Sequence, residues 1–307
     1  MLYHMLLSAG GFANYRSESN VFNLLSPKFS GMRSIADRKA LLDVWLKSIL
    51  FRVSGLDRDA IAKKIISHCN SAGEFLQMVM QEVAHAQGAA RWAECTPEHI
   101  LFMQEIKQQI PDALFIHIVR DGRDVALSYA RQGWSHPLPW DRNDRLGVAG
   151  LYWEWLVRKG REQAKELGPD YCEIRFEDLI AKPQETLAEL GSFIDHDLNY
   201  EAIQRAGIGA VTEPNTSFSV ERRASFNPVG RWKTTITAEE IAALEELVGS
   251  LLTLLGYELS STVKRGGKFH AARMRAIYLP MFEAKQWAKT KTPLGRLVRL
   301  ERIEIEP

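Results

Sequence analysis

An apolar run ends abruptly in charged residues in the segment FIHIVRDGRDVALS, residues 115–128. The run is typical of a buried strand, and the spacing after it is typical of a helix. Arg120 then stands at the carboxyl end of the strand, and Ser128 lies on the helix that follows. A guanidinium binds phosphate through paired hydrogen bonds, and a hydroxyl adds a short donor. We therefore expect Arg120 and Ser128 to bind a phosphate group.

The middle of the same segment has two interpretations. Gly122 is expected to allow a tight turn between strand and helix, and Arg123 and Asp124 begin the helix. Asp124 lies one turn before Ser128 on the same helix face, which would place it near the phosphate. Alternatively, Asp124 caps the helix and Arg123 pairs with it, which would be a structural role only.

A second candidate anion site lies in SAGGFANYRSESN, residues 8–20. Glycines follow a predicted first strand, and an arginine with two serines stands at a predicted helix start. Backbone N–H groups and the helix dipole favour an anion there, and Arg16 supplies positive charge. Because no Gly-Lys-Ser/Thr occurs, the segment is not a Walker A loop. A helix cap and turn without a ligand is the alternative.

Two further segments carry groups suited to chemistry. In NPVGRWKTT, residues 227–235, Arg231 and Lys233 flank Trp232, which offers charge for a phosphate and a ring face for a base. Lys233 is alternatively a surface lysine. In RWAECTPEH, residues 91–99, Glu94 or His99 is a candidate general base. Either side chain is alternatively structural.

The elements that must position these groups follow from the apolar spacing. The predicted strands are residues 2–8, 91–94, 111–119 and 171–176, and the predicted helices are residues 36–52, 57–88, 97–109, 125–131, 146–167, a segment opening at Pro183, and 238–255. Strands that alternate with helices indicate an α/β fold, a parallel β-sheet flanked by helices on both faces. Such sheets bind ligands at the carboxyl ends of their strands, where the charged segments lie.

Composition limits the classes of function. The chain has 307 residues and a formal net charge of +1, so no bulk field attracts the whole molecule to nucleic acid or to an anionic membrane, and any anion site must come from local clustering. The three cysteines are far apart and lack zinc spacing, which indicates reduced thiols in a cytoplasmic protein and no metal site. The opening residues lack the basic region of a signal peptide, and no apolar run is long enough to span a membrane.

We predict one α/β domain over residues 1–260 and a basic extension over residues 261–307. The extension is either a packing arm or a contact for a partner or an acidic membrane.

The order of these motifs resembles the PAPS-dependent sulfotransferases, especially their bacterial and Golgi-type branches. The segment YRSESN holds the place of the 5′-phosphosulfate loop, RDGRDVALS that of the 3′-phosphate element, and WAECTP, FEDLIAKP and GRWK resemble three further family segments. The resemblance runs from about residue 5 to residue 258. The family positions that bind the nucleotide fall on Arg16, Ser17, Glu18, Ser19, Asn20, Arg120, Ser128, Arg231, Trp232 and Lys233.

This resemblance implies a P-loop-like fold and transfer of a sulfuryl group from PAPS to an acceptor hydroxyl or amine, which releases PAP. No metal is required. Arg16 and the backbone N–H groups of residues 17–20 would stabilise the leaving phosphate, and Glu94 or His99 would act as the base. The acceptor would be a small molecule or a glycan rather than a nucleic acid, and assembly as a homodimer is left open.

Three features depart from the family pattern. Many relatives place the base as a glutamate shortly after the first helix, whereas residues 21–55 contain no glutamate, which leaves Asp37, Asp43 or Asp57 as further candidates. Glu18 stands where the family favours glycine, and Cys95 replaces the lysine of the Lys-Thr-Pro segment. They favour an alternative function, a catalytically impaired homologue that binds nucleotide or a partner. A P-loop phosphotransferase is a weaker alternative, because the Walker lysine and a clear magnesium carboxylate are missing.

Overall fold

The structure is a computed structural model that describes residues 1–206, 228–260, 268–300 and residue 303. Its strands are β1 (Phe115–Val119) and β2 (Tyr171–Arg175). Its helices are α1 (Leu2–Ala9), α2 (Ser26–Lys28), α3 (Ile35–Trp45), α4 (Ile49–Ser54), α5 (Arg58–His68), α6 (Ala72–Gln87), α7 (Met103–Gln109), α8 (Gly122–Arg131), α9 (Arg145–Ala164), α10 (Phe176–Ala181), α11 (Pro183–Ile194), α12 (Tyr200–Ala206), α13 (Trp232–Thr235), α14 (Ala238–Leu254) and α15 (Lys268–Lys291). A π-helical turn (Val21–Leu25) precedes α2, and 3-10 turns include Pro97–Leu101 and Pro293–Leu297.

The two strands pair in parallel, with Val119 opposite Arg175. Helices cover both faces of the pair. On one face Ile174 packs with α1, α10, α11 and α12, and on the other Val119 packs with α8, α9, α14 and α15. The predicted α/β fold with a parallel sheet and helices on both faces is confirmed, although most of the described chain is helical.

The predicted opening strand at residues 2–8 is wrong, because these residues form α1. The sequence LYHMLL contains no β-branched residue, and leucine and methionine favour a helix. The helix buries Leu2 and Leu6, which are four residues apart on one face, against α11 and α12. The predicted strand at residues 91–94 is also wrong and reduces to one bridge, in which Arg91 pairs with Phe12.

Two long predicted helices are each divided in the structure. Residues 36–52 become α3 and α4, and residues 57–88 become α5 and α6. At each break a serine caps the second helix: Ser48 accepts from the N–H of Phe51, and Ser71 accepts from the N–H of Glu74. The apolar spacing continues through both breaks because the separated helices bury the same side of the chain.

The described residues form three buried apolar clusters. An N-terminal cluster joins α3 to α6, a central cluster joins α8, α9, α14 and α15, and a third cluster lies between the sheet and α1, α11 and α12. Met274 and Tyr278 of α15 are fully buried in the central cluster, whereas Leu300 and Ile303 are buried in the N-terminal cluster. The described part of the C-terminal segment thus packs on two cores, and the division at residue 260 stays a prediction. Among the described helices, none is long and apolar enough to cross a membrane.

Candidate active site

Arg120 directly follows β1 and projects from the carboxyl end of the sheet. Its guanidinium donates to the carbonyl of Pro228, lies 3.7 Å from Asp124 Oδ2, and stacks 4.8 Å above the ring of Phe176. Its side chain is 22% exposed. Within the described part of the chain, the buried Nε of Arg120 has no hydrogen-bond partner. A donor held at a strand end without an acceptor is suited to an anionic ligand.

Arg123 has a different environment from Arg120, although only two residues separate them. It is 2% exposed, and it is bonded to Asp121 at 2.8 Å and to Glu245 at 2.5 Å. Burial would lower the pKa of the guanidinium, but hydrogen bonds and charges from these two carboxylates raise it above its usual value. Its guanidinium also stacks 3.8 Å from the ring of Trp232. The structural interpretation of Arg123 fits this position, with Asp121 and Glu245 as its partners in place of Asp124.

The helix cap expected of Asp124 is provided by Asp121, and Asp124 has another role. Asp121 caps α8 by accepting from the N–H of Arg123. Asp124 instead accepts the N–H groups of Gly230 at 2.7 Å and Trp232 at 3.0 Å. It therefore fastens the late Gly-Arg-Trp segment to the phosphate element, across more than one hundred residues of sequence.

Gly122 serves close packing rather than a tight turn. It is the first residue of α8 and is absent from the residues with positive φ. A Cβ atom at this position would lie 2.5 Å from the ring of Trp153 on α9. The expectation that Gly122 permits a turn is therefore wrong, and the motif requires glycine because α8 and α9 approach closely here.

The predicted nucleotide residues of the late segment lie in two environments. Trp232 is 3% exposed, and its indole N–H donates to Asp121 at 3.1 Å. The ring therefore supports Arg123 and Asp121, and its stacking on a base stays a prediction. Lys233 is exposed, with its Nζ 5.5 Å from the Trp232 ring, and Arg231 is half-buried just before α13. Asn227, which opens the segment, lies outside the described residues.

In the loop predicted to bind a phosphate, several backbone N–H groups already donate to acceptors within the chain. Ser17 N–H donates to the carbonyl of Tyr15, Ser19 N–H to Glu94, and Asn20 N–H to Thr96. Asn20 adopts a left-handed conformation with φ of 53° before the π-helical turn. The side chains of Arg16 and Glu18 are exposed on the outer side of the loop.

Glu94 is the acceptor that organises this loop. Its carboxylate accepts the N–H and hydroxyl of Ser19 at 3.0 and 2.8 Å, the N–H and hydroxyl of Thr96, and the Nδ1 of His99 at 2.9 Å. Burial would raise the pKa of Glu94, but the His99 imidazole and the hydrogen bonds from His99, Thr96 and Ser19 lower it to about 2.

His99 completes the connection between the loop and the Pro97–Leu101 turn. The N–H of Phe22 donates to its Nε2 at 3.2 Å, so the ring proton lies on Nδ1 and is donated to Glu94. Both ring nitrogens are thus engaged. The structure brings together the predicted base residues and the predicted loop, and it does so through hydrogen bonds that hold the loop in place.

A sequence model described as "Sulfotransferase family" matches residues 23–200, which is more than half of the chain. The chain belongs to the sulfotransferase family. The matched residues include Glu94, His99, Arg120 and Ser128, whereas residues 16–20 and 231–233 lie outside them.

Individual relatives are distant. Protein-tyrosine sulfotransferase A of Caenorhabditis elegans is 22% identical over 205 residues, which are 65% of this chain and 53% of that protein. Carbohydrate sulfotransferase 2 of Mus musculus is 30% identical over 93 residues, which are 29% of this chain and 17% of that protein. The chain thus spans about half the length of the first of these relatives and less of the second.

Among solved structures, the sulfotransferase domain from the curacin biosynthetic pathway matches with a TM-score of 0.54 and 17% identity. The match covers 84% of this chain and 94% of that domain. At this identity the likeness shows a shared fold.

This sulfotransferase also contains site residues that sequence reasoning missed. Glu177, at the start of α10, accepts the N–H of Asp121 at 2.9 Å and the hydroxyl of Tyr257 at 2.8 Å. Arg175 ends β2, stacks 4.5 Å from Tyr257, and has a buried Nε without a partner among the described residues. The signal available in the sequence was the charge at the end of the second strand, which is the same signal that identified Arg120.

Proposed function

We propose that this sulfotransferase uses PAPS as donor, transfers its sulfuryl group to an acceptor hydroxyl or amine, and releases PAP. The observation that carries the proposal is Arg120 at the carboxyl end of a parallel strand, whose buried Nε has no acceptor in the described ranges of the chain. Ser128 lies on α8 directly after it and is partly exposed. A strand end followed by a helix is where α/β proteins bind phosphate groups.

The chain's own residues fit the 3′-phosphate end of such a donor. Arg120 is oriented by Asp124 and by the ring of Phe176, so its planar face is fixed before a ligand arrives. Asp124 also keeps Arg231 and Lys233 beside α8, which adds positive charge. When bound, PAPS supplies an activated sulfuryl group with a phosphate leaving group. The proposal requires no metal ion.

In this proposal the Arg16 loop binds the 5′-phosphosulfate end of the donor. Arg16 is exposed and carries the charge expected to stabilise the leaving phosphate. Because the N–H groups of Ser17, Ser19 and Asn20 have partners within the chain, the loop would have to exchange these bonds for bonds to a ligand. Glu94 and His99 stay our candidates for the base, provided that they too exchange their internal hydrogen bonds for bonds to a ligand.

We propose a small molecule or a glycan as acceptor, and no nucleic acid. Relatives are named for protein tyrosine and for carbohydrate, both of which present hydroxyl groups. A cytoplasmic location and assembly as a homodimer are further parts of the proposal. Cell fractionation and light scattering test these two points.

A second candidate function is a catalytically impaired homologue that binds nucleotide or a partner. The observation that favours it is the same loop, in which a carboxylate of the chain occupies the donors that would receive a phosphosulfate. This candidate predicts binding of PAP without turnover of PAPS.

Calorimetry with PAP tests the donor assignment. We expect wild type to bind PAP, and Arg120→Ala to bind about 10-fold to 100-fold more weakly, since a hydrogen bond to a charged group contributes about 1.5–3 kcal/mol. The matched control is Arg33→Ala, which removes an exposed arginine distant in sequence from the motif. Equal PAP affinity for wild type and Arg120→Ala would refute the assignment, as would a preference for ATP with magnesium. Transfer from PAPS then distinguishes the active enzyme from the impaired homologue.

A further inference from the structure

The C-terminal end of the described chain carries a local concentration of positive charge. No aspartate or glutamate occurs between residues 284 and 300. The same stretch contains five cations: Lys285, Lys289, Lys291, Arg296 and Arg299. The whole chain has a formal net charge of only +1, so this stretch is more basic than the chain as a whole. We call the exposed side chains of residues 285–299 the C-terminal basic surface.

Large exposed apolar side chains alternate with these cations along the sequence. Trp287 is 62% exposed, Leu294 is 57% exposed and Leu297 is 73% exposed. Leu294 and Leu297 belong to the 3-10 turn Pro293–Leu297. Side chains three residues apart eclipse one another in a 3-10 helix, so both leucines project from the same side of the turn.

The turn is held firmly on its inner side. A Cβ atom on Gly295 would lie 2.3 Å from the carbonyl oxygen of Lys289 and 3.1 Å from that of Pro27. Lys28 Nζ donates to the carbonyl of Val298 at 2.9 Å, and Leu300 is buried immediately afterwards. The outward position of the two leucines is therefore a property of an ordered element that is anchored on both sides.

The acidic residues that flank this stretch in the sequence are Glu283 and Glu301, and the charge of Glu283 is compensated. Its carboxylate lies 2.9 Å from Lys159 and accepts the indole N–H of Trp155 at 3.0 Å. Residues 284–307 contain six lysines and arginines against three glutamates, Glu301, Glu304 and Glu306, so the end of the chain has a formal net charge of +3.

We propose that the C-terminal basic surface binds an anionic membrane surface. Trp287, Leu294 and Leu297 would enter the boundary between headgroups and acyl chains, and the surrounding lysines and arginines would face lipid phosphates. A lipid interface accepts projecting side chains without a complementary pocket, which suits leucines that stand this far out of a turn. An acidic protein would need a matching groove to take up these apolar groups, whereas a lipid interface needs none. This surface is separate from the proposed donor site, so the inference does not depend on the proposed function.

Vesicle sedimentation tests the proposal. Wild-type protein is mixed with vesicles of phosphatidylcholine alone and with vesicles that contain about 30 mol% phosphatidylserine. We expect binding to the anionic vesicles, weak binding to the neutral ones, and a loss of binding at high salt.

Two pairs of variants separate charge from apolar insertion. Lys285→Gln with Lys291→Gln should weaken binding about tenfold or more, because each cation near an anionic surface adds attraction. Leu294→Ser with Leu297→Ser should weaken it to a similar extent. The matched controls are Lys63→Gln with Lys165→Gln and Ile35→Ser with Leu254→Ser, all at exposed positions elsewhere. These controls should bind as wild type does.

The proposal is overturned if wild type ignores the anionic vesicles, or if the controls lose as much binding as the surface variants. It is also overturned if soluble polyglutamate or DNA competes fully and the leucine variants bind as wild type does, since this surface would then bind polyanions in general. Calorimetry with PAP on the same variants keeps the two proposals distinguishable, because a variant defective only in membrane contact retains its PAP affinity.

Discussion

At the scale of single residues, Arg120 and Arg123 have different roles although they belong to one short motif. Arg120 stacks on Phe176 at the end of the sheet, and its buried Nε has no acceptor in the part of the chain that the structure describes. Arg123 is enclosed between Asp121 and Glu245. Both are arginines of the same short motif, RDGRD. Only their surroundings therefore distinguish a ligand-binding role from a structural one.

These surroundings predict opposite stability effects. Arg123→Met should lower the free energy of unfolding by about 3–5 kcal/mol, because two buried carboxylates lose the cation between them. Arg120→Ala should cost only about 1 kcal/mol, because its ion pair is partly exposed. Urea unfolding of both variants measures the difference. A comparable loss in both would contradict the division of roles.

Glu94 gives a pH-dependent prediction at the same scale. Its pKa of about 2 in the folded protein lies below the ordinary value of 4.5, so folding favours the ionised carboxylate. The resulting stabilisation is complete above about pH 4.5 and is lost as pH falls toward 2. Its size is about 3 kcal/mol for a shift of this extent.

The prediction is measured as the difference in unfolding free energy between wild type and Glu94→Gln. This difference should be larger at pH 6 than at pH 3. Glu185→Gln serves as the control, because Glu185 lies at the surface in an exposed ion pair with Lys182. A difference for Glu94→Gln that does not change with pH would show that its charge is not what holds the loop.

At the scale of elements, the contact between α8 and α9 sets the position of the phosphate element. Gly122 lies against Trp153, which brings the start of α8 close to the long helix behind it. The end of β1, and with it Arg120, is thereby fixed relative to the central cluster.

A pair of glycine variants tests this contact. Gly122→Ala should destabilise the protein by about 1–3 kcal/mol, because the new methyl group overlaps the Trp153 ring. Gly249→Ala, on α14, has room at 3.4 Å from Leu259 and should be neutral or stabilise by about 0.5–1 kcal/mol. Thermal unfolding of the two variants makes the comparison. Equal melting temperatures would mean that the helices separate without cost.

At the scale of the whole molecule, the C-terminal segment contributes to two cores. Met274 and Tyr278 fill the central cluster, and Leu300 and Ile303 fill the N-terminal cluster. A chain that ends after Ser260 loses all four side chains from the interior.

We therefore expect truncation after Ser260 to produce a protein that is aggregated or melts far below the full chain, whereas truncation after Ile303 should have little effect. Circular dichroism and light scattering of the two products provide the measurement. A cooperative, unchanged transition for residues 1–260 would instead support the predicted domain boundary there.

The sequence by itself determined the features that depend on neighbours along the chain. The strands predicted over residues 111–119 and 171–176 are present as the shorter strands 115–119 and 171–175, and the helix after Arg120 follows from its own spacing. Arg120 at a strand end was readable for the same reason. The resemblance to sulfotransferases rests on these local motifs and their order, and the family match confirms it.

Only the tertiary structure decided which of these groups face one another. Trp232 meets Arg123, and Asp124 meets Gly230, across more than one hundred residues of sequence, and Glu94 meets Ser19 across seventy-five. The first eight helical residues were misjudged because the partner that buries their leucines, the third cluster, is distant in sequence. Apolar spacing and charge pattern report which side of an element is buried. They do not report which residues that side packs against. These partners decide whether an arginine binds a phosphate or forms a buried ion pair.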